Sequence, residues 1–278
     1  MKRCWKVFRK LSLCAWLLIR ISFVVAAGPL AAEAPAAAVS AFDAYVSTVD
    51  SRLAQQHRFK SGFVASVGPA SESEKSLRNG ALIIEELTPT DRADISGAML
   101  HHWRGTAFAP RATAADFERL MKDFNAYPQR FSPEVAQARV LERGDDHGQD
   151  HFRVFTRLRQ KHVITVVMDA TYDIHFAKLD AQHGYSISRS TEIAEIDSAG
   201  SSSERKLNGA QEHGFLWRMN TYWSYEERDG GLYLQIESVT LSRSIPMGLA
   251  WAIRPFVETV PRESLEFTLR SACNGLRK

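Results

Sequence analysis

The sequence lacks the short motifs by which many enzymes and cofactor-dependent proteins are recognised. It contains no His-Glu-x-x-His, no Cys-x-x-Cys, no phosphate-binding glycine loop and no Gly-x-Ser-x-Gly elbow. It has only 3 cysteines, and two of them lie within the first 14 positions, which leaves Cys273 alone in the rest of the chain. We therefore expect a fold that is held together by an apolar core, with no cofactor, no metal and no disulfide.

Acidic residues are missing from the first 32 positions, which open with several basic residues. An apolar run over 11–27 follows and ends in small residues, which is the layout of a secretory signal peptide. We expect residues 1–27 to be this signal, with cleavage after Ala27 or after Ala32. The protein would then be exported, either periplasmic or secreted. An uncleaved N-terminal anchor is the alternative.

The chain has no excess of basic residues once this first segment is set aside. The sequence pI is about 8.8 for the whole chain, but the remainder has slightly more acidic than basic residues. A nucleic-acid partner needs a basic patch or stripe, so none is expected here. A transient contact with a membrane stays open.

The part that follows the signal is predicted to be a linker and a helical extension. Residues 28–38 are rich in Ala and Pro. Apolar residues then follow at steps of three and four, namely Val39, Phe42, Val46, Val49 and Leu53. These steps mark one face of a helix, which we expect over about 39–57. We assign 28–98 to the linker and extension, and 99–278 to the main domain.

Alternating and β-branched runs dominate the main domain and predict an antiparallel sheet. Thr113 is a candidate N-cap for a helix over 114–123, directly after the first strand. A solvated loop is expected over 197–211. Runs of strands bracketed by helices indicate an α+β fold. The predicted strands cover 100–108, 135–143, 151–159, 163–176, 185–196, 215–227 and 232–243, with a turn at 144–148 between the second and the third.

The end of the chain is predicted to hold two helices. Pro255 and Pro261 both stand in one amphipathic stretch. Proline is well placed in the first turn of a helix and disruptive in its interior. We therefore expect a short helix over 247–253, a break, and a long helix that starts near Pro261 and lies on the sheet.

This order of elements resembles the helix-grip fold of the START-like (SRPBCC) superfamily, which includes coenzyme-Q-binding proteins, polyketide cyclases and lipid-transfer domains. The resemblance covers about residues 99–276. It is carried by the opening strand Trp103-Arg-Gly-Thr-Ala-Phe108, the helical pair around 117–131, the hairpin meander, and the strand Tyr222-Trp-Ser-Tyr225. The resemblance implies a curved antiparallel sheet wrapped around a long C-terminal helix, with a deep apolar cavity between them.

Large apolar side chains are predicted to line that cavity, as is usual for small-molecule sites. Odd-numbered residues from Trp217 to Tyr225 share one face of a strand, because side chains alternate across it. The hollow is expected beside Trp223. The expected ligand-binding residues are Phe124, Tyr127, Phe131, Met168, Tyr172, Trp217, Met219, Trp223, Tyr225, Glu237, Trp251 and Phe256.

Glu237 is the one polar candidate in this set, and no other catalytic residue is proposed. Parity alone does not decide which face of its strand is inside. A buried carboxylate needs a partner or a raised pKa, and Arg218, Arg189 or Arg243 could supply that partner. A surface ion pair between neighbouring strands is the alternative.

Three functions stay open for this sequence. The first is an exported, non-enzymatic carrier of an apolar small molecule such as a lipid or a quinone. The second is a cyclase-like or aromatase-like enzyme that uses Glu237 as an acid and base in the same cavity. The third is a cell-envelope interaction protein that docks through the helix over 39–57.

Overall fold

Antiparallel strands form the framework of the computed structural model, which describes residues 33–90, 94–95, 97–146, 148–161, 165–208, 211–244 and 250–277. The side chains of 70, 94 and 250–258 are outside this description. Within the described residues, ten strands form one continuous network. In chain order they are β1 Ile83–Glu86, β2 Asp94–Ile95, β3 Ala98–Pro110, β4 Val135–Asp146, β5 Gln149–Lys161, β6 Thr165–Lys178, β7 His183–Asp197, β8 Arg205–Lys206, β9 Arg218–Arg228 and β10 Gly231–Arg243.

Most neighbouring strands in the sheet are also neighbours in the chain. The main exception is the last strand, which pairs with the first long strand. The order across the sheet is β1-β3-β10-β9-β7-β6-β5-β4, while β2 pairs with β3 and β8 pairs with β7. The last strand, β10, therefore lies beside the first long strand, β3, in the middle of the sheet. Strands β3, β10 and β9 each have a neighbouring strand on both sides. Their side chains are therefore exposed to solvent only where no helix or loop covers that face of the sheet.

The helices lie before, between and after the strands. They are α1 Ala36–Gln56, α2 Ala70–Arg78, α3 Ala114–Lys122, α4 Tyr127–Arg130 and α5 Ala250–Gly275, with a 3-10 turn at Phe124–Ala126. The predicted N-cap is present: Thr113 Oγ1 accepts from the Asp116 amide at 3.1 Å, and the Asp116 carboxylate accepts from the Thr113 amide at 3.2 Å. This capping box satisfies two amides that α3 itself leaves unpaired. No described helix has the length and hydropathy that a membrane span requires.

Each face of the sheet packs against a different helix. On one face, here called the α5 face, Leu234 and Ile236 of β10 pack with Leu265 and Leu269 of α5. On the opposite face, here called the α1 face, Val239 and Leu241 of β10 pack with the apolar stripe of α1. This arrangement confirms the predicted α+β helix-grip architecture, in which a curved antiparallel sheet holds a long C-terminal helix.

The terminal helix differs from its prediction. It runs without a break from Ala250 to Gly275 and includes both Pro255 and Pro261, so the predicted separation into two helices is wrong. Each proline removes one hydrogen bond between residues four apart. The apolar face of the second half, with Leu265 and Leu269 fully buried, keeps the helix on the sheet despite that loss.

Two strand boundaries also differ from their predictions. The predicted turn at 144–148 is shorter, because Asp145 pairs with Asp150 and Asp146 pairs with Gln149 within the β4–β5 hairpin. The loop expected over 197–211 contains the two-residue strand β8. Both differences come from hydrogen bonds between backbone groups. Polar side chains at a strand end are compatible with such pairing and with a loop, so the sequence did not distinguish the two.

α5 packs tightly against Gly105 of β3. A Cβ at this position would come far inside van der Waals contact with Leu265, and within 3.2 Å of Leu269. We expect Gly105→Ala to push α5 off the sheet and to lower the free energy of unfolding by about 1–3 kcal/mol, the usual cost of overpacking. Chemical denaturation measures this change.

Gly144→Ala is the matched control, because a Cβ at Gly144 meets its nearest neighbour, the His151 ring, at an ordinary 3.8 Å. We expect the control to change stability by less than about 0.5 kcal/mol. Equal stability losses in the two variants would contradict the close packing of α5 on Gly105.

Candidate functional site

One half of the α5 face is filled by the protein's own side chains. Trp223 and Tyr225 of β9 are buried against Phe117 of α3, with ring centroids 5.1 and 4.9 Å apart. Leu265 and Leu269 of α5 belong to the same apolar cluster. The hollow that the sequence predicted beside Trp223 is therefore not there, and that space is core.

The other half of the α5 face begins one row further along the strands. Ser238 of β10 pairs with Trp103 of β3 on one side and with Thr221 of β9 on the other. Thr221 in turn pairs with Ser188 of β7. In the next row, Thr240 of β10 takes the position of Ser238. We call Ser188, Thr221, Ser238 and Thr240 the hydroxyl belt.

The hydroxyl belt is half-buried although it lies in the middle of the sheet. Its neighbours are more deeply buried: Ile236 is 3% exposed in the row on one side, and Ser242 is 8% exposed in the row on the other. Trp103 and Met219, beside the belt in its own rows, are half-buried as well. We infer from this pattern that the belt is the floor of a recess rather than part of an open sheet surface. The recess lies on the face that also holds α5, so it is a candidate binding site.

Apolar residues form the side of the recess away from β3. Met219 follows Thr221 on the same face of β9, and its sulfur lies 3.7 Å from the Tyr172 hydroxyl of β6. Burial raises the pKa of Tyr172, which keeps its hydroxyl neutral. Met168 lies on the same face four residues further along β6 and is 2% exposed. The recess therefore combines a hydroxyl-bearing floor with an apolar wall.

The structure brings most of the predicted site residues onto the α5 face. Tyr172 and Met219 border the recess, and Met168 lies four residues further along β6. Phe124, Tyr127, Phe131, Trp223 and Tyr225 lie in or against the packed apolar cluster. The side chains of Trp251 and Phe256 lie outside the described residues. The role of all these residues as ligand contacts stays a prediction.

Two predicted site residues lie on the other side of the sheet. Trp217 packs with the α1 cluster rather than with Trp223, because β9 begins only at Arg218 and the alternation does not extend back to position 217. Glu237 also points to the α1 face, opposite Ile236 and Ser238. The expectation that both share the cavity wall with Met219 and Trp223 is thus corrected.

Glu237 is fixed by partners that the sequence did not identify. Its carboxylate accepts from His102 Nε2 at 2.9 Å and pairs with Arg52 of α1, while Arg104 lies 3.9 Å away. The Tyr45 hydroxyl of α1 lies 2.8 Å from His102 Nδ1. The expected arginine partners are wrong, and Arg189, one of them, pairs instead with Asp50.

The ionisation of Glu237 follows from these contacts. Burial favours the neutral acid, but the hydrogen bond from His102 and the charge of Arg52 outweigh it and hold the pKa of Glu237 below its usual range. The group is therefore an anion that ties α1 to the sheet, and it is not placed to exchange protons with the recess.

A second carboxylate lies next to α5. Glu134, just before β4, accepts from the Ser264 hydroxyl of α5 at 3.0 Å. Burial raises the pKa of Glu134 to about 7, and the nearby Glu263 adds to the shift. The group therefore changes charge near neutral pH at a contact between α5 and the sheet.

A separate cleft of about 1080 Å³ lies at one end of strands β4 to β7. Its charged side chains already hold its walls together. Arg157 pairs with Asp169 at 2.7 Å and with Glu204 at 2.8 Å. Glu195 accepts from the amides of Gly214 and Phe215 at 2.9 and 3.1 Å. These groups have structural partners, so the cleft is a weaker candidate than the recess.

Metal-binding chemistry has no preformed site in the described part of the chain, where no group of three or more His, Cys, Asp or Glu side chains could hold an ion. The residues that sequence reasoning missed are those of the hydroxyl belt. A signal for them exists in β10, where Leu232, Leu234 and Ile236 are followed at the same spacing by Ser238 and Thr240.

Comparison with known proteins gives distant structural neighbours only. No family model matches the chain, and neither does any curated protein. A STAR-related lipid transfer protein from Xanthomonas axonopodis is 17% identical over 70% of this chain and 99% of that one, with a TM-score of 0.41. A START superfamily protein from Mycobacterium smegmatis is 14% identical over 63% and 96%, with a TM-score of 0.40. The Zhui aromatase/cyclase of a Streptomyces species is 13% identical over 63% and 92%, also at 0.40.

The ion pairs of Glu237 make a testable contribution to stability. We expect Glu237→Gln to lower the free energy of unfolding at pH 7 by about 1–3 kcal/mol, because it leaves charge-assisted hydrogen bonds unmade. A lowered pKa contributes stability above the unfolded value and loses it as the pH falls through the folded value. The difference between variant and wild type should therefore disappear in acid, as measured by denaturation at a series of pH values.

Glu266→Gln is the control for this series, since Glu266 pairs with Arg270 on the exposed side of α5. Such surface pairs contribute roughly 0.2–1 kcal/mol. A Glu237→Gln loss that is no larger than the control, or that persists unchanged in acid, would contradict the buried network.

Glu134 should have the opposite pH dependence. Its raised pKa contributes stability that is present below the unfolded pKa and is lost as the pH rises toward about 7. We therefore expect Glu134→Gln to raise the melting temperature at pH 8 and to leave it unchanged at pH 4. Glu142→Gln, at an exposed position of β4, should change neither value. A higher melting temperature of wild type at pH 8 would refute the assignment.

Proposed function

We propose that the protein binds and carries one apolar small molecule, such as a lipid or a quinone, in the recess between the hydroxyl belt and α5. The observation that supports this most directly is the half-buried state of Ser238 and Thr240 in the centre of the sheet. Burying apolar ligand area contributes roughly 25 cal/mol per Å², before the costs of association. The apolar wall at Tyr172 and Met219 would provide that burial.

Carrying fits the recess better than catalysis does. Glu237, the residue that the sequence offered for acid and base chemistry, lies on the α1 face and is engaged by His102 and Arg52. A cyclase-like step in the recess therefore has no support from this group. Docking through α1 is also less favoured, because the apolar stripe of α1, with Phe42 and Val49, is buried against the sheet.

Export is part of this proposal. The basic start, the apolar run over 11–27 and the small residues after it support a signal peptide. N-terminal sequencing of protein recovered from outside the cytoplasm would find a new terminus after Ala27 or Ala32. A chain that is recovered only in the cytoplasm and still begins at Met1 would contradict export.

Native mass spectrometry of protein purified without denaturation tests the binding function. We expect the wild-type protein to carry an additional mass of a few hundred daltons, which organic extraction removes. Ser238→Phe should abolish this mass, because a ring on the belt fills the space that the ligand takes. Ser47→Phe, the same substitution at an exposed position of α1, should retain it.

Circular dichroism and thermal unfolding would establish that both variants are folded. If the wild-type protein is empty and takes up no fluorescent fatty acid or quinone analogue, the carrier function is wrong. If Ser238→Phe binds as the wild type does, the ligand lies elsewhere, and the recess is not the site.

A further inference from the structure

Three polar atoms at the β3–β10 border of the recess have no hydrogen-bond partner among the described residues. They are His101 Nε2, Trp103 Nε1 and Ser242 Oγ, each of which is buried. His101 and Trp103 are two residues apart on β3, and both point to the α5 face. Ser242 of β10 pairs with Met99 and is therefore diagonal to His101. We call these three residues the polar patch.

The members of the polar patch follow one another along the β3–β10 border, with His101 between Trp103 and Ser242. Residues two apart on a strand are separated by roughly 7 Å, and diagonal cross-strand neighbours by roughly 7–8 Å. His101 and Ser242 are 6% and 8% exposed. Buried polar atoms are nearly always hydrogen-bonded in folded proteins, because an unmade bond costs the full desolvation of the group. Three such atoms together point to a partner that comes from outside the chain.

The strand residues around the patch include no cation. Those that share its face are Met99, Met219, Thr221, Ser238 and Thr240, with Glu86 opposite Trp103 and Asp94 opposite Met99 on the far side of β3. Burial lowers the pKa of His101 to about 4, and no charged neighbour contributes to that shift. The imidazole is therefore neutral at physiological pH, with one nitrogen as donor and the other as acceptor.

We propose that the polar patch recognises one or more uncharged oxygen-bearing groups, hydroxyl or carbonyl, on a ligand whose apolar body lies against Tyr172 and Met219. This inference rests on the proposed function and specifies its ligand class. Trp103 Nε1 can only donate, so the ligand must present an acceptor. Ser242 and His101 can each donate or accept, so a hydroxyl is satisfied as well as a carbonyl. A carboxylate would meet no cation on these strands.

Three matched probes test the inference by calorimetry on the intact protein freed of bound molecules. They are naphthalene, 2-naphthol and 2-naphthoate, which share one ring system and differ in the polar group. We expect 2-naphthol to bind about tenfold more tightly than naphthalene, the ratio that one satisfied buried hydrogen bond gives. We expect 2-naphthoate to bind more weakly than 2-naphthol.

Variants then locate the discrimination. Trp103→Phe removes the Nε1 donor and keeps an aromatic ring, so the ratio of 2-naphthol to naphthalene affinity should fall toward one. His101→Phe should lower the ratio as well, and His101→Gln should restore part of it. Trp217→Phe is the matched control, because Trp217 Nε1 is also buried and unpartnered in the described chain but lies in the α1 cluster. It should leave the ratio unchanged.

The outcomes separate this inference from the proposed function. If naphthalene and 2-naphthol bind equally well, the recess binds apolar molecules but the patch does not select, and the inference alone is wrong. A preference for 2-naphthoate, or a ratio that Trp103→Phe and Trp217→Phe alter equally, also overturns it. If no probe binds and the native protein is empty, the proposed function and the inference are both wrong. Should His101→Phe not fold, Trp103→Phe alone decides.

Discussion

The alternation of side chains along β3, β10 and β9 is the constraint on which the rest of this structure depends. These three strands lie in the interior of the sheet, and each of their faces is in contact with a helix. A residue therefore belongs either to the α1 face or to the α5 face, and a shift by one position would exchange the two sets. Neighbours such as Glu237 and Ser238 thus have unrelated environments, an ion-paired network on one side and the recess on the other.

The central strand β10 also changes character along its length. On the α5 face, leucine and isoleucine give way to the hydroxyl belt after Ile236. On the α1 face, Tyr233, Gln235 and Glu237 give way to Val239 and Leu241. Each face is apolar over one half of the strand and polar over the other. This change along β10 places the packed core under the second half of α5. The hydroxyl belt begins in the next row of residues after Ile236.

Much of the fold could be predicted from the sequence because it depends on local patterns. The spacing of apolar residues located α1, Thr113 located the start of α3, and alternation located the long strands. The facing of Glu237 could not be predicted, because both faces of β10 contain apolar and polar stretches and the decision lies with α1, which is distant in sequence. The continuity of α5 through Pro255 and Pro261 is likewise a matter of tertiary packing rather than local preference.

The site itself was predicted only in part, for the same physical reason. Large side chains such as Trp223 and Tyr225 are equally suited to a core and to a cavity wall, and here they pack on each other. The informative residues were the small ones: serines and threonines on a face that is otherwise apolar. A row of hydroxyls in the middle of a sheet does not suit a packed core, since each buried hydroxyl needs a hydrogen-bond partner. It can instead form the polar base of a site for a ligand that is mostly apolar.

A crystal structure of the protein under xenon pressure decides whether the space above the hydroxyl belt is hollow, because xenon enters apolar space that protein atoms leave unfilled. We expect a xenon peak, or density for a co-purified molecule, above Ser238 and Thr240 and within contact distance of Tyr172 or Met219. Protein side chains that fill this space, with no peak on the α5 face, would contradict it.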